Sequence, residues 1–514
     1  MGKFAKIEKW KPKSCVYNLI LAFLKRKNIF PYSFLVVYST FAFLFSVTKI
    51  FIFHAPKYFV QAQILQFFGR FVFVVLCFLA VYFYLERSVF MDIAFHLFTI
   101  LKQGDFAIQN NRFVAAFTQS TVVVGQKLGV PLSVIALVYS SSFALLYLLA
   151  YVVIRFGSKN VAMSWVYVLF GIMMVSHTFY WIQSELPQGM AVFFIFFAYL
   201  ESLLTQKSFS IKQVAFIAIG LFVVSFAHPL IIFPFVFVCV YFYLRMPQRL
   251  WNLVYILCMF FLFYGIKMVL FKTYYDSQSI NGLKNLLNYF PYYWQMDSMH
   301  DFARYLLSDY YFFAIIFVVN VYFYLYSRQY ISLLLMTAFT LGYILMVNGS
   351  YPSGAEQFYL ENQYLLLAVF VAFPFVYEVL PRVKNPLWIG AILYLICLTG
   401  IGRIYLTHFL YTQRLQWYET FLQAHAQEKL IIRKENTPQK LLMMNWASCY
   451  EFWLLSTIQQ NQSCSFIIED ATGEFDWTVN TKDSFISKWG VFPYESLPPQ
   501  YFKFYDTTSS YQKY

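Results

Sequence analysis

The chain has 514 residues, a net charge of +14, 60% hydrophobic residues and only 12% charged residues. Because a soluble domain carries about 25% charged residues, this composition excludes an ordinary soluble protein. Eight of the 38 basic residues lie in the first 27 positions and many others in short links between apolar runs, which is typical of topogenic charge and not of a nucleic-acid-binding groove. The sequence therefore predicts an all-α polytopic membrane protein, surrounded by membrane lipids and without a nucleic-acid partner.

Residues 1–69 form a basic N-terminus with a first apolar run at 31–53. Lysines crowd the first 27 positions, but no short apolar core with a small-residue cleavage site follows them, so we expect no signal peptide. If 31–53 crosses the bilayer, this basic end lies outside, against the positive-inside rule. We favour eleven spans with 31–53 not fully crossing, and the alternative is twelve spans with an outer N-terminus.

Residues 70–404 form the predicted transmembrane domain, and each span in it needs roughly 20 apolar residues. The stretch 213–244 is too long for one crossing, and proline interrupts helices, so we expect a break at His228–Pro229. The predicted spans are 70–86, 131–155, 162–182, 188–205, 213–227, 229–244, 250–272, 309–327, 330–348, 363–380 and 386–404.

The short links between these spans indicate their orientation. Links carrying Arg155, Arg245 or Arg382 alternate with links such as 349–362, which contain no lysine or arginine. The positive-inside rule places the first set in the cytoplasm. The long loop 87–130 then lies on the outer side, and the predicted location is a bacterial inner membrane with the active site facing the periplasm.

Residues 405–514 are richer in polar residues and predict a small soluble α+β tail on the outer face. Within it, "SCSFIIED" and "GEFDWTVN" have the composition of short strands between turn residues. Cys449 and Cys464 could pair in an oxidising compartment, or they are two unpaired thiols. The chain has no Cys-x-x-Cys motif, so a structural zinc site is not expected.

The start of the outer loop, "FMDIAFHLFTILKQGDFAIQNNRF" at 90–113, is unusually polar for this chain. Its first residues carry apolar side chains at helical spacing, which predicts a helix lying along the membrane surface. Asp92 and His96 are four residues apart and share one face of that helix. Lys102 and Arg112 follow as the cations of the loop.

This order of elements resembles the polytopic glycosyltransferases of the GT-C superfamily. In these enzymes a spanning helix leads to an outer loop with an acidic residue, an amphipathic helix and a "G…R" stretch, as with Asp92, Gly104 and Arg112 here. "YWIQSELPQGMAVFF" and the soluble tail are also similar to later parts of that family. The chain departs from it in lacking an adjacent acidic pair and in having Glu361 where many relatives carry arginine.

The resemblance implies transfer of a sugar from a polyprenyl-phospho-sugar donor to a lipid, glycan or protein acceptor. Such a transfer needs a base at the acceptor hydroxyl and cations at the departing phosphate. We expect Asp92 to be the base, assisted by His96. The cations predicted to hold the phosphate are Lys102, Arg112 and Arg304.

Further outer-face residues complete the predicted site: Glu185 lines the cavity, and Tyr351, Glu356 and Glu361 hold an acceptor sugar. No cofactor is required, although a divalent metal would help the phosphate to leave. Each residue also has a structural explanation, since Asp92 could complement a helix dipole and Arg112 a lipid headgroup. Two alternatives are a transporter or flippase of lipid-linked saccharide, and a polysaccharide polymerase or ligase.

Overall fold

The computed structural model describes residues 57–182, 184–206, 209–271, 273, 285–425 and 428–514. The chain divides into two units, Met1–Gln63 and Ile64–Tyr514. The predicted apolar segment 31–53 lies outside the described residues. Apart from residues 57–63, the helices and strands belong to the second unit.

The second unit is predominantly helical. The helices up to residue 270 are α1 Lys57–Tyr82, α2 Tyr84–Ser88, α3 Met91–Gln103, α4 Ala116–Lys127, α5 Leu132–Val152, α6 Val161–Met173, α7 Glu185–Leu203, α8 Ile211–Ala227, α9 Ile232–Arg245 and α10 Leu250–Leu270. Those that follow include α11 Asp297–Ser308, α12 Tyr311–Tyr326, α13 Tyr330–Ser350, α14 Gln357–Tyr364, α15 Leu367–Pro374, α16 Pro386–Ala424, α17 Gln439–Leu442 and α18 Ser448–Gln460.

Among the described residues, five helices are long and apolar enough to cross a membrane: α5, α7, α10, α13 and α16. Two bent pairs, α11 with α12 and α14 with α15, raise this number to seven if each pair is one span. Each predicted run from 70–86 onward contains an apolar helix, so the helical class is confirmed, but the run 162–182 is helical only as far as Met173, apart from a short turn at His177–Phe179. The lower count reflects α1, α6, α8 and α9, whose apolar parts have 10–17 residues and fall short of a hydrocarbon core about 30 Å thick.

The core of the bundle surrounds α15, which is buried along its whole length. Helices α6, α9, α12 and α13 all pack against it. Aromatic rings fill the space between them, as where Phe237, Phe339 and Tyr343 meet the ring of Phe370. This packing explains much of the phenylalanine content, since such pairs add stability beyond the area they bury.

The predicted break in 213–244 is confirmed. Helix α8 ends at Ala227, and His228 is extended before the short turn Pro229–Ile231. The Nδ1 atom of His228 accepts a hydrogen bond from the N–H of Leu230 at 3.2 Å. His228 thereby caps the next helical turn, which proline at its first position favours.

The tail begins later than the sequence predicts, because α16 continues without interruption to Ala424. Two small sheets follow, one parallel with the order β2-β1-β5 and one antiparallel hairpin of β3 and β4. Their strands are β1 Lys429–Ile432, β2 Ser465–Ile468, β3 Ser484–Ser487, β4 Gly490–Pro493 and β5 Gln512–Lys513.

Two details of the tail bear on the sequence predictions. The strand in "SCSFIIED" is confirmed as β2, with all four residues buried. The prediction of a strand in "GEFDWTVN" was wrong. This segment turns at Gly473, with φ of 84°, and forms a short helical turn at Asp476–Thr478. Cys449 and Cys464 are both buried free thiols.

Helix α3 does not lie on a lipid surface, which corrects the expectation from its amphipathic pattern. Its apolar side is covered by the tail helix α18. The ring of Phe98 meets Tyr450 and Trp453 from α18 and Phe485 from β3. An amphipathic face needs an apolar neighbour, and here a tail distant in sequence supplies it instead of lipid.

Candidate active site at one end of the bundle

Asp92 lies in the first turn of α3, immediately after a junction tied to the tail. The N–H of Met91 donates to Glu451 Oε1 at 2.5 Å. The indole Nε1–H of Trp181 donates to Asp92 Oδ2 at 2.6 Å. Trp181 itself stacks on the ring of Tyr359, with centroids 5.2 Å apart. The tail therefore holds the backbone just before Asp92, while the bundle holds its carboxylate through Trp181.

The environment of Asp92 suits a base that works near neutral pH. Burial raises the pKa of its carboxyl to about 6, the hydrogen bond from Trp181 lowers it, and the negative charge of Glu185 raises it. The side chain is only partly exposed. A carboxyl with a pKa just below the working pH is ionised and yet basic enough to accept a proton, as general-base catalysis requires.

Glu185 and Arg112 form a buried ion pair beside Asp92. Arg112 Nη1 lies 3.1 Å from Glu185 Oε2, and the two side chains are only 7% and 10% exposed. Glu185 opens α7, where Ser184 caps the helix by accepting from the N–H of Leu186. An acidic residue complements the positive end of the helix dipole at this position, so the local sequence fixes the carboxylate that orients Arg112.

His96 lies one turn after Asp92 and is buried. Burial lowers the pKa of its imidazole to about 4, although Glu185 and a backbone hydrogen bond with Ala107 raise it. At neutral pH the ring is therefore uncharged. Its Nδ1 atom is buried without a hydrogen-bond partner among the described residues. The uncharged ring keeps one N–H donor and one unprotonated nitrogen, so it can exchange a hydrogen bond with a bound molecule.

These five side chains form one group, the Asp92 cluster: Asp92, His96, Arg112, Trp181 and Glu185. The sequence predicted four of its members, and the structure brings those four together. Trp181 was missed, because one tryptophan in a chain that is 23% aromatic carries no signal of its own.

A second buried cation, Lys267, borders the Asp92 cluster. It is fully buried, and its Nζ atom donates to the carbonyl oxygen of Phe226 at 3.2 Å. Burial lowers the pKa of His228 well below its usual range, and the positive charges of Arg112 and Lys267 lower it further. Both cations therefore act on the same histidine. Sequence reasoning missed Lys267 inside the run 250–272, although a charged residue within an apolar span is itself a functional signal.

The structure does not bring Lys102 or Arg304 to the Asp92 cluster. Lys102 lies ten residues beyond Asp92, about 15 Å along α3, and its Nζ atom sits 3.9 Å from the ring centre of Phe492 in the tail. Arg304 pairs with Asp301 on α11 at 2.8 Å, and its side chain is 66% exposed. Their roles as phosphate partners stay predictions.

Glu361 is fully buried and its carboxylate is occupied by protein donors. It accepts from the backbone N–H groups of Ser176 and Thr178 at 2.7 and 2.8 Å, and from the hydroxyl of Tyr310 at 2.7 Å. The hydroxyls of Ser176 and Thr178 also donate to it. These contacts fix residues 176–178, just before Trp181. Glu361 therefore helps to position the indole that binds Asp92.

Other chemistry at this end is limited by the residue types present. Within the described ranges, no group of three or more His, Cys, Asp or Glu side chains could hold a metal ion. Tyr351 and Glu356 both contact Tyr359: the ring of Tyr351 lies 5.8 Å from that of Tyr359, and the backbone carbonyl of Glu356 accepts from the N–H of Tyr359 at 3.0 Å. Together, the Asp92 cluster and Lys267 combine a carboxyl of raised pKa on Asp92, the neutral imidazole of His96 and two buried cations, Arg112 and Lys267.

Comparisons of the chain with family models, with curated proteins and with solved structures find no match. The chemistry of this end of the bundle is therefore inferred from its own side chains.

Proposed function

We propose that the protein is a membrane glycosyltransferase that moves a sugar from a polyprenyl-phosphate-linked donor to a lipid, glycan or protein acceptor. The observation that carries this proposal is the carboxyl of Asp92, whose pKa is raised to about 6 beside a buried pair of Arg112 and Glu185. A base and a cation at one end of an apolar helical bundle are the two groups that such a transfer needs.

In the proposed reaction, Asp92 accepts the proton of the acceptor hydroxyl. The acceptor oxygen forms a new bond to the anomeric carbon of the donor sugar, while the bond from that carbon to the phosphate oxygen breaks. The electron pair leaves with the phosphate, so the products are the glycoside and the polyprenyl phosphate. Because the pKa of Asp92 is about 6, about nine-tenths of the carboxyl is ionised at pH 7.

The departing phosphate needs positive charge, and Arg112 is placed to supply it. A guanidinium can give two parallel hydrogen bonds to a phosphate, while Glu185 keeps it oriented from the other side at 3.1 Å. Lys267 adds a second positive charge nearby, and His96 supplies a neutral ring for the donor or the acceptor. A bound divalent metal would contribute further charge neutralisation but is not required by this scheme.

The apolar helices support placement in a membrane, with the lipid tail of the donor lying between them. Helix α9 has 14 residues, which is about 21 Å, and it starts beside His228 near the Asp92 cluster. The cluster thus belongs to one end of the bundle, within reach of a phosphate at the level of lipid headgroups. In this proposal that end faces the outer side of a bacterial inner membrane, and the alternation of charged links supports the sidedness.

The proposal is tested with Asp92→Asn in the purified full-length chain, given a radiolabelled polyprenyl-phospho-sugar and a lipid extract as the acceptor pool. We expect transfer to fall by about 10²–10⁴-fold, the range found when a general base is removed. The matched control is Asp105→Asn, because Asp105 is exposed on the same loop and accepts a hydrogen bond from the N–H of its neighbour Phe106. Equal activity of both variants would exclude Asp92 from the reaction.

A transporter or flippase of lipid-linked saccharide is the second candidate, and one observation favours it. Arg87 is 2% exposed, and its donors bind Ser140 and the carbonyl of Phe179 rather than a carboxylate. Buried charge and broken helices are typical of transport paths. The two functions separate in proteoliposomes: a flippase moves the lipid-linked sugar between leaflets intact, whereas a transferase releases the sugar to an acceptor.

A further inference from the structure

A charged cavity lies where several helices of the bundle end, away from the Asp92 cluster. It is a cleft of about 640 Å³, and three arginines line it: Arg245, Arg328 and Arg382. Arg245 ends α9, Arg328 follows α12, and Arg382 follows α15. The three residues are far apart in sequence, and only the packing of these helices brings them to one place.

This cleft lies at the end of the bundle opposite to the Asp92 cluster. Helix α9 runs about 21 Å from the neighbourhood of His228 to Arg245. Helix α12 has 16 residues, about 24 Å, and it runs to Arg328 from Tyr310, whose hydroxyl binds Glu361. The Asp92 cluster and the arginine cleft are therefore separate sites.

The cleft carries net positive charge. None of its three arginines forms an ion pair with a carboxylate in the part of the chain that the structure describes. The one acidic residue that lines it, Glu378, accepts a hydrogen bond from the hydroxyl of Tyr324 at 3.1 Å. Arg382 donates to the backbone carbonyl of Glu378 at 2.6 Å instead of to its carboxylate.

Aromatic rings also hold the guanidinium groups of two of these three arginines. The guanidinium of Arg245 lies over the ring of Tyr377, 4.6 Å from its centre, and that of Arg382 lies 4.5 Å from the centre of Phe323. Stacking fixes the plane of a guanidinium and leaves its N–H edge for an acceptor. Arg328 has φ of 55°, a left-handed backbone that favours glycine, yet it places an exposed guanidinium at the rim.

We propose that this cleft binds a phosphate group, carried by an anionic lipid headgroup or by a free phosphate compound. Guanidinium edges match the geometry of phosphate oxygens and bind them through two parallel hydrogen bonds. Positive charge alone is common at one membrane face, but topogenic charge has no need to converge on one cavity or to stack on aromatic rings. The proposal does not depend on sugar transfer at the other end of the bundle.

The test measures binding of a fluorescent phosphatidic acid to the full-length chain in detergent micelles. The variant replaces Arg245, Arg328 and Arg382 with glutamine. The control variant replaces Arg155, Lys212 and Arg249 with glutamine, which removes the same charge from links on the same side but leaves the cleft unchanged. We expect the affinity to fall on the order of tenfold or more in the first variant, and less than about twofold in the control.

A second arm uses radiolabelled inorganic phosphate with the same two variants. Loss of lipid binding only in the cleft variant identifies a lipid headgroup, and loss of phosphate binding only in that variant identifies a free phosphate; both outcomes support the site. Equal losses in the two variants, or no loss in either arm, would overturn it. If the triple variant does not fold, the single change Arg328→Gln serves, because Arg328 is exposed at the rim and should lose affinity while keeping the melting temperature.

Discussion

Replacing Trp181 with phenylalanine removes one hydrogen-bond donor from Asp92 and keeps an aromatic ring beside Tyr359. The lost bond joins Trp181 Nε1 to Asp92 Oδ2 over 2.6 Å. A hydrogen bond to a charged group contributes about 1.5–3 kcal/mol, which corresponds to about 1–2 pKa units. The pKa of Asp92, about 6 with Trp181 present, should therefore rise to about 7–8. At pH 7 the ionised fraction then falls from about nine-tenths to between about one-half and one-tenth.

The assay is the initial rate of sugar transfer as a function of pH. The acid limb of the profile should move up by about 1–2 pH units, and activity should return near pH 9 because the base ionises again. Trp489→Phe is the control, since Trp489 is 65% exposed in the tail. An acid limb that stays in place would show that Trp181 does not tune the group that limits the rate, and the assignment of Asp92 as the base would fail with it.

Stability gives a second measurement that needs no substrate. The folded-state pKa of Asp92 lies above its usual value of 3.8, so the native state holds a proton that the unfolded state has lost. The contribution of Asp92 to the free energy of unfolding is therefore largest below pH 3.8 and is lost as the pH rises through about 6. In Trp181→Phe the loss should continue to about pH 7–8. Adding Asp92→Asn should abolish this extra pH dependence, and its persistence would assign it to another group.

Two further predictions concern packing and buried charge. Glu451→Gln should lower the free energy of unfolding by about 3 kcal/mol in chemical denaturation. Arg414 lies 2.6 Å from the Glu451 carboxylate and would stay buried without an anion in the variant. An unchanged unfolding midpoint would contradict this. Gly189→Ala should cost about 1–3 kcal/mol, since a Cβ atom there would lie 2.6 Å from Ala227 Cβ. Gly265→Ala meets nothing within 4 Å and should be neutral or stabilising, so equal effects of the two alanines would contradict the helix crossing.

Asp92, Arg112 and Glu185 could be predicted as neighbours because the charge pattern of the links assigned them to the same side of the predicted bundle. Charge alternation along the links placed the loop with Asp92 and the helix end with Glu185 at the same face, and residues at one face of a bundle can meet. Spacing of four residues added His96. No pattern of this kind exists for Trp181 or Lys267, because their role depends on which helices become neighbours.

The tail was the least predictable part of the chain. Its composition indicated a soluble domain, but the covering of α3 by α18 depends on contacts such as Phe98 with Trp453, more than 300 positions apart in sequence. An amphipathic helix has the same pattern whether lipid or protein covers its apolar side. Local patterning therefore predicted the helix and misassigned its neighbour.

The tail also bears on how the candidate base is held. Met91 has φ of 38°, a backbone conformation that side-chain-bearing residues adopt at a cost of about 1–3 kcal/mol. Glu451 from the tail binds the N–H of this residue, and Arg414 from α16 binds the carbonyl of Val89 at 3.0 Å. The turn that orients Asp92 is thus fixed by the buried ion pair of Arg414 and Glu451, which lies outside the loop 87–130. Since a catalytic group has to be held to within about 0.5 Å, the tail acts as part of the candidate site, and a chain without it would keep Asp92 but lose its orientation.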